Sequence, residues 1–492
     1  MDQATDTLYR AYTTRDARFD GRIFAGVRTT GIYCRPVCPA RMPKRENMTF
    51  FPTAAAAQAA GFRPCLRCRP ESAPDFAGWR GASPVVHRAL ALIEDGWLED
   101  RDIDDLAGQV GVSGRQLRRL FRDHLGATPV TVVQTRRVLL AKQLIHETDL
   151  SMAEVAMASG FGSVRRFNET FQRLFDRPPG ELRRQRPRER TADSGIAIRL
   201  PYRPPYDWAA LLASLGRAAI PGVERVDGDR YARTVRFGEH RGWVDVRPFA
   251  GNRLQLTVRF PELEALPRII GRVRRLLDLP ADPLAINAQL AEDPLLAPLV
   301  TARPGLRVPG IWDGFESAIR TILVEDHVAL ERLVSNFGRP LNDAAAESSG
   351  LTRTFPSPAD LVHAIPDGGV KPSPSVVSAI ASLAAAIIVE PALLGSHRDP
   401  GQTSGRLRRL DGIDHGLAAA IVSRVLEGFD ELPPDVGAMF ATAGTVALPA
   451  DDVHERTRAW SPWRAYGAAH LLAAAHDETT SESSRMETPH DH

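Results

Sequence analysis

Four cysteines limit this chain more than any other feature. They stand at Cys34, Cys38, Cys65 and Cys68, spaced C-x3-C, then 26 residues, then C-x2-C. Two short-spaced pairs, brought together, make a tetrahedral thiolate cage of the kind that closes around zinc. Clustering of this sort points to a metal site rather than to a disulfide scaffold. On spacing alone the cage can be purely structural or chemically reactive. No cysteine follows Cys68, so an iron–sulfur cluster held by later cysteines is excluded.

A chain of 492 residues is too long for one hydrophobic core. Punctuation divides it. A Pro-, Gly-, Ala- and Ser-rich stretch at 70–83 ends the cysteine segment, a helical pattern runs over 84–184, and an arginine-rich linker follows at 183–190. Alternating runs at Tyr231–Phe237, Trp243–Arg247 and Leu254–Phe260 predict strands, and Asp207–Ala218 predicts a helix. From Leu263 to Ala475 the apolar spacing is helical. The polar, acidic stretch from His476 predicts a disordered tail.

Charge follows this division. Residues 1–190 carry 31 basic and 22 acidic side chains, whereas the remainder carries 31 and 38. The basic surplus therefore lies with the cysteines and the helical segment, which points to a polyanionic partner there. Only three lysines occur, Lys44, Lys142 and Lys371, against 59 arginines, so amine nucleophiles are scarce. No apolar run is long enough to span a bilayer, and the N-terminal residues form no secretory signal; a cytoplasmic protein is expected.

The residues around the cysteines narrow the chemistry. Arg28-Thr-Thr-Gly-Ile-Tyr-Cys-Arg-Pro-Val-Cys38, Arg45-Glu-Asn47 and Gly61-Phe-Arg-Pro-Cys-Leu-Arg-Cys-Arg-Pro70 closely resemble the N-terminal domain of the Ada family. The resemblance implies zinc held by all four cysteines and a methyl-acceptor role for Cys34 toward DNA phosphotriesters. The physics is consistent. Thiolate is the nucleophile, a methylated phosphate has lost its repelling charge, and nothing in the segment regenerates the sulfur.

The helical segment contains a repeat. Ala107, Gly111 and Val112 recur 49 residues later as Ala156, Gly160 and Phe161; Phe121, Leu125 and Pro129 recur 50 residues later as Phe171, Phe175 and Pro179. Ile103–Phe121 and Met152–Phe171, with Phe167-Asn168 and the closing Pro178-Pro179, resemble the AraC-type double helix-turn-helix domain. Arg115, Gln116, Arg119, Arg165 and Arg166 are the candidate DNA contacts. Leu117, Leu120, Phe167 and Phe171 are expected in the core.

The remaining residues resemble AlkA, of the helix-hairpin-helix glycosylase superfamily. The resemblance rests on Ile198–Tyr202, Arg274–Leu279, Arg307–Gly310, Thr354–Ser357, Leu432–Asp435 and Trp460–Tyr466. It implies that a hairpin at Leu410–Gly416 offers Gly412 to a DNA phosphate. It also implies that Asp435 stabilises an oxocarbenium-like sugar on a flipped-out nucleotide. Without it, an Asp after two prolines reads as a helix N-cap. The chain departs from the family at Asp414, where a second glycine is usual, and at Glu325-Asp326-His327. It departs again at Gly416, Ala420 and Leu472, where aromatic residues usually stack on the damaged base. The Pro-Cys-His-Arg motif of a second alkyltransferase domain is absent.

The expected architecture is multidomain α+β: a zinc module at 1–75, an all-α double helix-turn-helix at 84–186, a small α+β domain at 196–295, an all-α helix-hairpin-helix domain at 296–475, and a tail at 476–492. Two functional readings follow. In one, the chain accepts methyl groups, activates transcription and excises alkylated bases such as 3-methyladenine without lyase activity. In the other it is an activator whose glycosylase half has decayed. Alkylated and operator duplex DNA are the expected partners, RNA polymerase is a further candidate, and the chain is expected to be monomeric and free of membranes.

Overall fold

The computed structural model describes residues 3–74, 83–98, 101–183, 195–324, 326–362, 373–395, 398–427, the single positions 430, 432, 436 and 440, and 450–486. The first module is a four-stranded sheet in the order β3-β1-β2-β4, with β1 (Phe24–Val27), β2 (Ile32–Cys34), β3 (Met48–Phe51) and β4 (Arg63–Pro64). Helices α1 (Gln3–Thr13) and α2 (Ala54–Ala59) flank it. β1 is antiparallel to its neighbours, whereas β2 and β4 run parallel with Tyr33 opposite Pro64. Parallel pairing brings the C-terminal ends of two strands together, and those ends carry Cys34 and Cys65.

Seven helices follow: α3 (Pro84–Glu94), α4 (Ile103–Gln109), α5 (Gly114–Leu125), α6 (Pro129–Glu147), α7 (Met152–Ala158), α8 (Val164–Phe175) and α9 (Pro179–Arg183). The sequence repeat is a structural repeat. Asp102 and Ser151 close capping boxes at the starts of α4 and α7, and Ser113 and Ser163 cap α5 and α8. Each intervening turn passes through a glycine at positive φ, 78° at Gly111 and 79° at Gly160. Leu117, Phe121 and Leu125 bury one face of α5; Phe167, Phe171 and Phe175 bury the same face of α8. That spacing leaves the arginine faces outward. The long α6 joins the two units.

The sheet of the next unit is antiparallel in the order β5-β9-β8-β7-β6, from β5 (Ile196–Pro201), β6 (Glu224–Asp227), β7 (Arg230–Phe237), β8 (His240–Phe249) and β9 (Arg253–Arg259). Helices α10 (Trp208–Arg217) and α11 (Leu266–Leu276) contribute to the core beneath its inner face. β5 is an edge strand, and an unpaired edge invites wrong partners. Here α6 occupies it. Gln143 donates to the Arg199 carbonyl at 2.8 Å, and Glu147 accepts from the Arg199 N–H at 2.9 Å. One buried cluster runs without a break from Val138 and Phe171 to Leu256 and Ile269.

The rest is helical: α12 (Pro283–Leu290), α13 (Leu296–Ala302), α14 (Gly314–Ile322), α15 (His327–Phe337), α16 (Ala344–Ser348), α17 (Pro358–Leu361), α18 (Pro374–Val389), α19 (Pro400–Leu407), α20 (His415–Val422), α21 (Ala450–Arg456) and α22 (Arg464–Met486). It has two cores. One gathers α14, α15 and α18 to α20. The other packs Ala281, Ile286, Leu296 and Val300 against Phe440, Trp460, Tyr466 and Leu471. Residues 281–300 thus share a core with the C-terminal helices, and packing does not divide the chain at 295. The stretch from His476 also differs from expectation, because α22 continues to Met486. No glycine or proline interrupts it after Gly467. No helix among the described residues is long and apolar enough to cross a membrane.

Candidate functional site

The four cysteine sulfurs converge within 4.8 Å of one another. A tetrahedron with Zn–S bonds of about 2.3 Å has edges of roughly 3.8 Å, so closing the cage needs only small side-chain movements. Cys34 ends β2, and Cys38 follows in a turn whose N–H donates to the Arg35 carbonyl at 3.2 Å. Cys65 and Cys68 are buried, whereas Cys34 and Cys38 are half-buried and can be approached. Backbone N–H groups of Arg35 and Arg67 point at the Cys68 and Cys65 sulfurs, each at 3.4 Å. Hydrogen bonding among the thiols drives Cys34 well up and Cys65 well down. Four sulfurs this close cannot all ionise without a central cation, and a zinc ion supplies that charge. The donor set fits zinc.

Carbonyls of three ligands are held from outside the cage. Tyr12 donates to Cys34 O at 2.9 Å, Arg35 to Cys68 O at 3.0 Å and Lys142 to Cys65 O at 2.8 Å. Arg35 is in turn paired with Asp20, and Lys142 lies 2.6 Å from Glu71. Lys142 belongs to α6 and is fully buried, so the helix-turn-helix module reaches the backbone of a zinc ligand. Burial raises the Tyr12 hydroxyl well above its ordinary range, with the cage sulfurs adding to it, so it remains a donor. Sequence reading did not find Tyr12, Asp20, Glu71 or Lys142. The one signal available was that Lys142 keeps lysine where this chain otherwise uses arginine.

The candidate DNA contacts divide between two outward faces. Arg115, Gln116 and Arg119 are exposed on α5, and Arg165 and Arg166 on α8. Arg165 pairs with Glu169 one turn on, an exposed pair too weak to withhold it from a phosphate. Leu117, Phe167 and Phe171 are buried as expected, and Leu120 packs against the core.

At the hairpin, Gly412 has φ of 81°, and a Cβ there would stand 2.3 Å from the Ser375 carbonyl oxygen. Close packing on α18 requires this glycine, whatever lies outside. Asp414 is the N-cap of α20 and accepts from Leu417 N–H at 2.8 Å; Asp326 caps α15 in the same way. Each unusual carboxylate thus satisfies its own helix end. Gly416 and Ala420 are exposed, whereas Leu472 packs on the core around Trp460. Asp435, Glu325, Lys371 and the stretch 184–190 lie outside the described residues.

Fold and site together define a zinc-thiolate module joined to a double helix-turn-helix and an AlkA-like glycosylase fold. Three family models match in series: the metal binding domain of Ada over 7–71, a helix-turn-helix domain over 106–185, and the AlkA N-terminal domain over 197–313. The chain is 37% identical to the probable bifunctional transcriptional activator/DNA repair enzyme AlkA of Mycobacterium tuberculosis, covering 96% of each. It is 30% identical to the bifunctional transcriptional activator/DNA repair enzyme AdaA of Bacillus subtilis, over 39% of this chain and 88% of that one. It is 28% identical to DNA-3-methyladenine glycosylase 2 of Escherichia coli, over 55% of this chain and 95% of that one. The chain belongs to the family of bifunctional Ada–AlkA transcriptional activator and DNA repair proteins.

Proposed function

We propose that the chain removes methyl groups from DNA phosphotriesters onto Cys34, activates transcription from an operator read by α5 and α8, and excises alkylated bases through Asp435. In this reading 1–75 form the acceptor, 84–186 the operator reader, 196–475 the glycosylase half and 476–492 a terminal extension. The convergence of four cysteines with Cys34 half-buried carries the first step. When bound, zinc keeps the sulfurs as thiolates at neutral pH. The Cys34 sulfur bonds to the methyl carbon, the carbon–oxygen bond breaks, and the phosphodiester leaves as an anion. The transfer is stoichiometric. It also removes one negative charge from a cage of roughly −2, which lowers repulsion of neighbouring phosphates. Mass spectrometry after incubation with methylphosphotriester DNA should find one methyl on the Cys34 peptide. A methyl on Cys38 instead, or on neither, overturns the assignment.

The glycosylase half acts by hydrolysis alone, since lysine is nearly absent from it and a Schiff-base lyase needs an amine. Asp435→Asn should abolish 3-methyladenine release and leave DNA binding intact, because the amide keeps the size and loses the charge. Exposed Gly416 and Ala420 favour a second reading, a regulator that no longer cuts. Release by wild type at the uncatalysed rate would establish it. The protein acts as a monomer in the cytoplasm, with RNA polymerase as its partner in activation.

A further inference from the structure

The outer face of the β5–β9–β8 sheet has no assigned role. Side chains alternate along a strand, so Ile198 and Leu200 turn inward and Arg199 turns outward. Register places Arg199 opposite Gln255 and Gln255 opposite Arg247, while Arg253 stands opposite Phe249. The result is an aromatic ring between guanidiniums. Arg199 lies 4.6 Å and Arg253 5.3 Å from the Phe249 ring centroid. Arg247 is exposed, and Arg199 and Arg253 are half-exposed. Among the described residues, none of the three forms an ion pair with a carboxylate; Glu147 nearby is half-buried and accepts from the Arg199 backbone and from Gln143.

The patch adjoins the zinc module, because consecutive residues of α6 hold both: Lys142 donates to the Cys65 carbonyl and Gln143 to the Arg199 carbonyl, each at 2.8 Å. Burial depresses the Arg253 guanidinium first, repulsion from Arg199 adds to it, Glu147 opposes it, and Arg69 and Arg35 contribute less. Arg35 follows Cys34 and Arg69 follows Cys68 in the chain. Glu147 offsets part of this repulsion and Asp20 pairs with Arg35, yet Arg199, Arg247 and Arg253 leave the face positive and able to take up an anion. The adjoining cage presents the opposite difficulty, since its thiolates repel DNA until one is methylated.

We propose that the Arg199–Phe249–Arg253 face, with Arg247, binds backbone phosphates of the duplex whose triester is docked at the zinc cage. The glycosylase half thereby supplies attraction that the unmethylated cage lacks. This rests on the methyl-acceptor reading, but it concerns a surface of another domain. The ligand chemistry is that of the duplex phosphodiester backbone. Guanidinium forks match phosphate oxygens, and the contact carries no sequence preference.

The test uses full-length, zinc-loaded protein and an unmodified duplex, with binding followed by fluorescence anisotropy across a salt series. Each phosphate contact contributes about −0.9 to the slope of log K against log salt. Arg199→Gln/Arg253→Gln should therefore flatten the slope by about 2, and Arg247→Gln alone by about 1. Arg217→Gln removes the same charge from α10, beneath the opposite face of the sheet, and serves as the control. If the double variant loses its cooperative thermal transition, the exposed Arg247→Gln decides the question. Slopes equal to that of Arg217→Gln overturn the proposal. Failure of the methyl-acceptor reading looks different, because wild-type Cys34 then gains no methyl whatever the slopes do.

Discussion

At the scale of single residues, what the sequence revealed was chemistry carried by residue type and spacing, and what it hid was chemistry carried by position. Cysteines at C-x3-C and C-x2-C point to a thiolate cage by type and spacing alone. Lys142 declares nothing, because its role depends on α6 packing against a zinc module some seventy residues earlier in the chain, a geometry with no local signature. His470 is another such position. It is 2% exposed, its Nδ1 has no hydrogen-bond partner among the described residues, and burial with Arg303 nearby pushes its imidazole down from 6.5 to about 4. Between about pH 6.5 and 4 the unfolded chain binds a proton that the folded chain refuses. Stability is therefore whole above about pH 6.5 and falls as pH drops to about 4, by about 3 kcal/mol in all. His470→Leu should remove this part of the pH dependence in urea titrations at pH 7 and pH 4.5. Equal losses in both proteins on acidification would remove the assignment.

At the scale of elements, the double helix-turn-helix was the most legible part, because caps, glycine turns and apolar stripes all agree and do so twice. The α+β unit was legible where strands alternate. Its limit was not, because α12 and α13 have a helical pattern that matches equally well a cap on the sheet or a partner of α22. Several motifs that carried the AlkA resemblance turn out to be joints. Trp460 donates to Asp293 at 2.6 Å, Tyr466 bonds Asp278, and Arg307 donates to the Arg203 carbonyl at 2.7 Å. They fix how segments meet rather than how a base is cut, so a strong match there speaks for the fold more than for catalysis. Gly412 shows the same duality. Gly412→Ala places a methyl against the α18 backbone and forces a positive φ on an L-residue, so the hairpin must shift. A loss of roughly 2–3 kcal/mol, read from the denaturation midpoint, should appear even without DNA. A variant as stable as wild type but weaker on DNA would show that phosphate approach, not packing, demands the glycine.

At the scale of the molecule, helix α6 decides whether three modules behave as three. Lys142 grips Cys65 and Glu71 on one side, Gln143 and Glu147 grip the edge strand on the next, and one core runs from α6 and α8 into the sheet. Arg233 repeats the theme deeper in, fully buried between Glu224 of the sheet and Glu316 of α14. Removing zinc therefore has consequences beyond its ligands. Structural zinc contributes on the order of 10 kcal/mol to small thiolate modules, so chelation should unfold the first module. Lys142 then loses both partners, and water enters beside the C-terminal part of α6. Hydrogen exchange should show lost protection across residues 20–70, as expected of any zinc module, and also in α6 near Lys142, which holds no ligand. Helix α15, remote from this junction, should keep its protection. The contact itself is isolated by Lys142→Met in the zinc-loaded protein, which strands the Glu71 carboxylate in a buried site and should cost about 3–5 kcal/mol. If chelation unprotects the zinc module while α6 exchanges as before, the modules are independent, and the buried lysine does not carry the state of the cage into the DNA-binding helices.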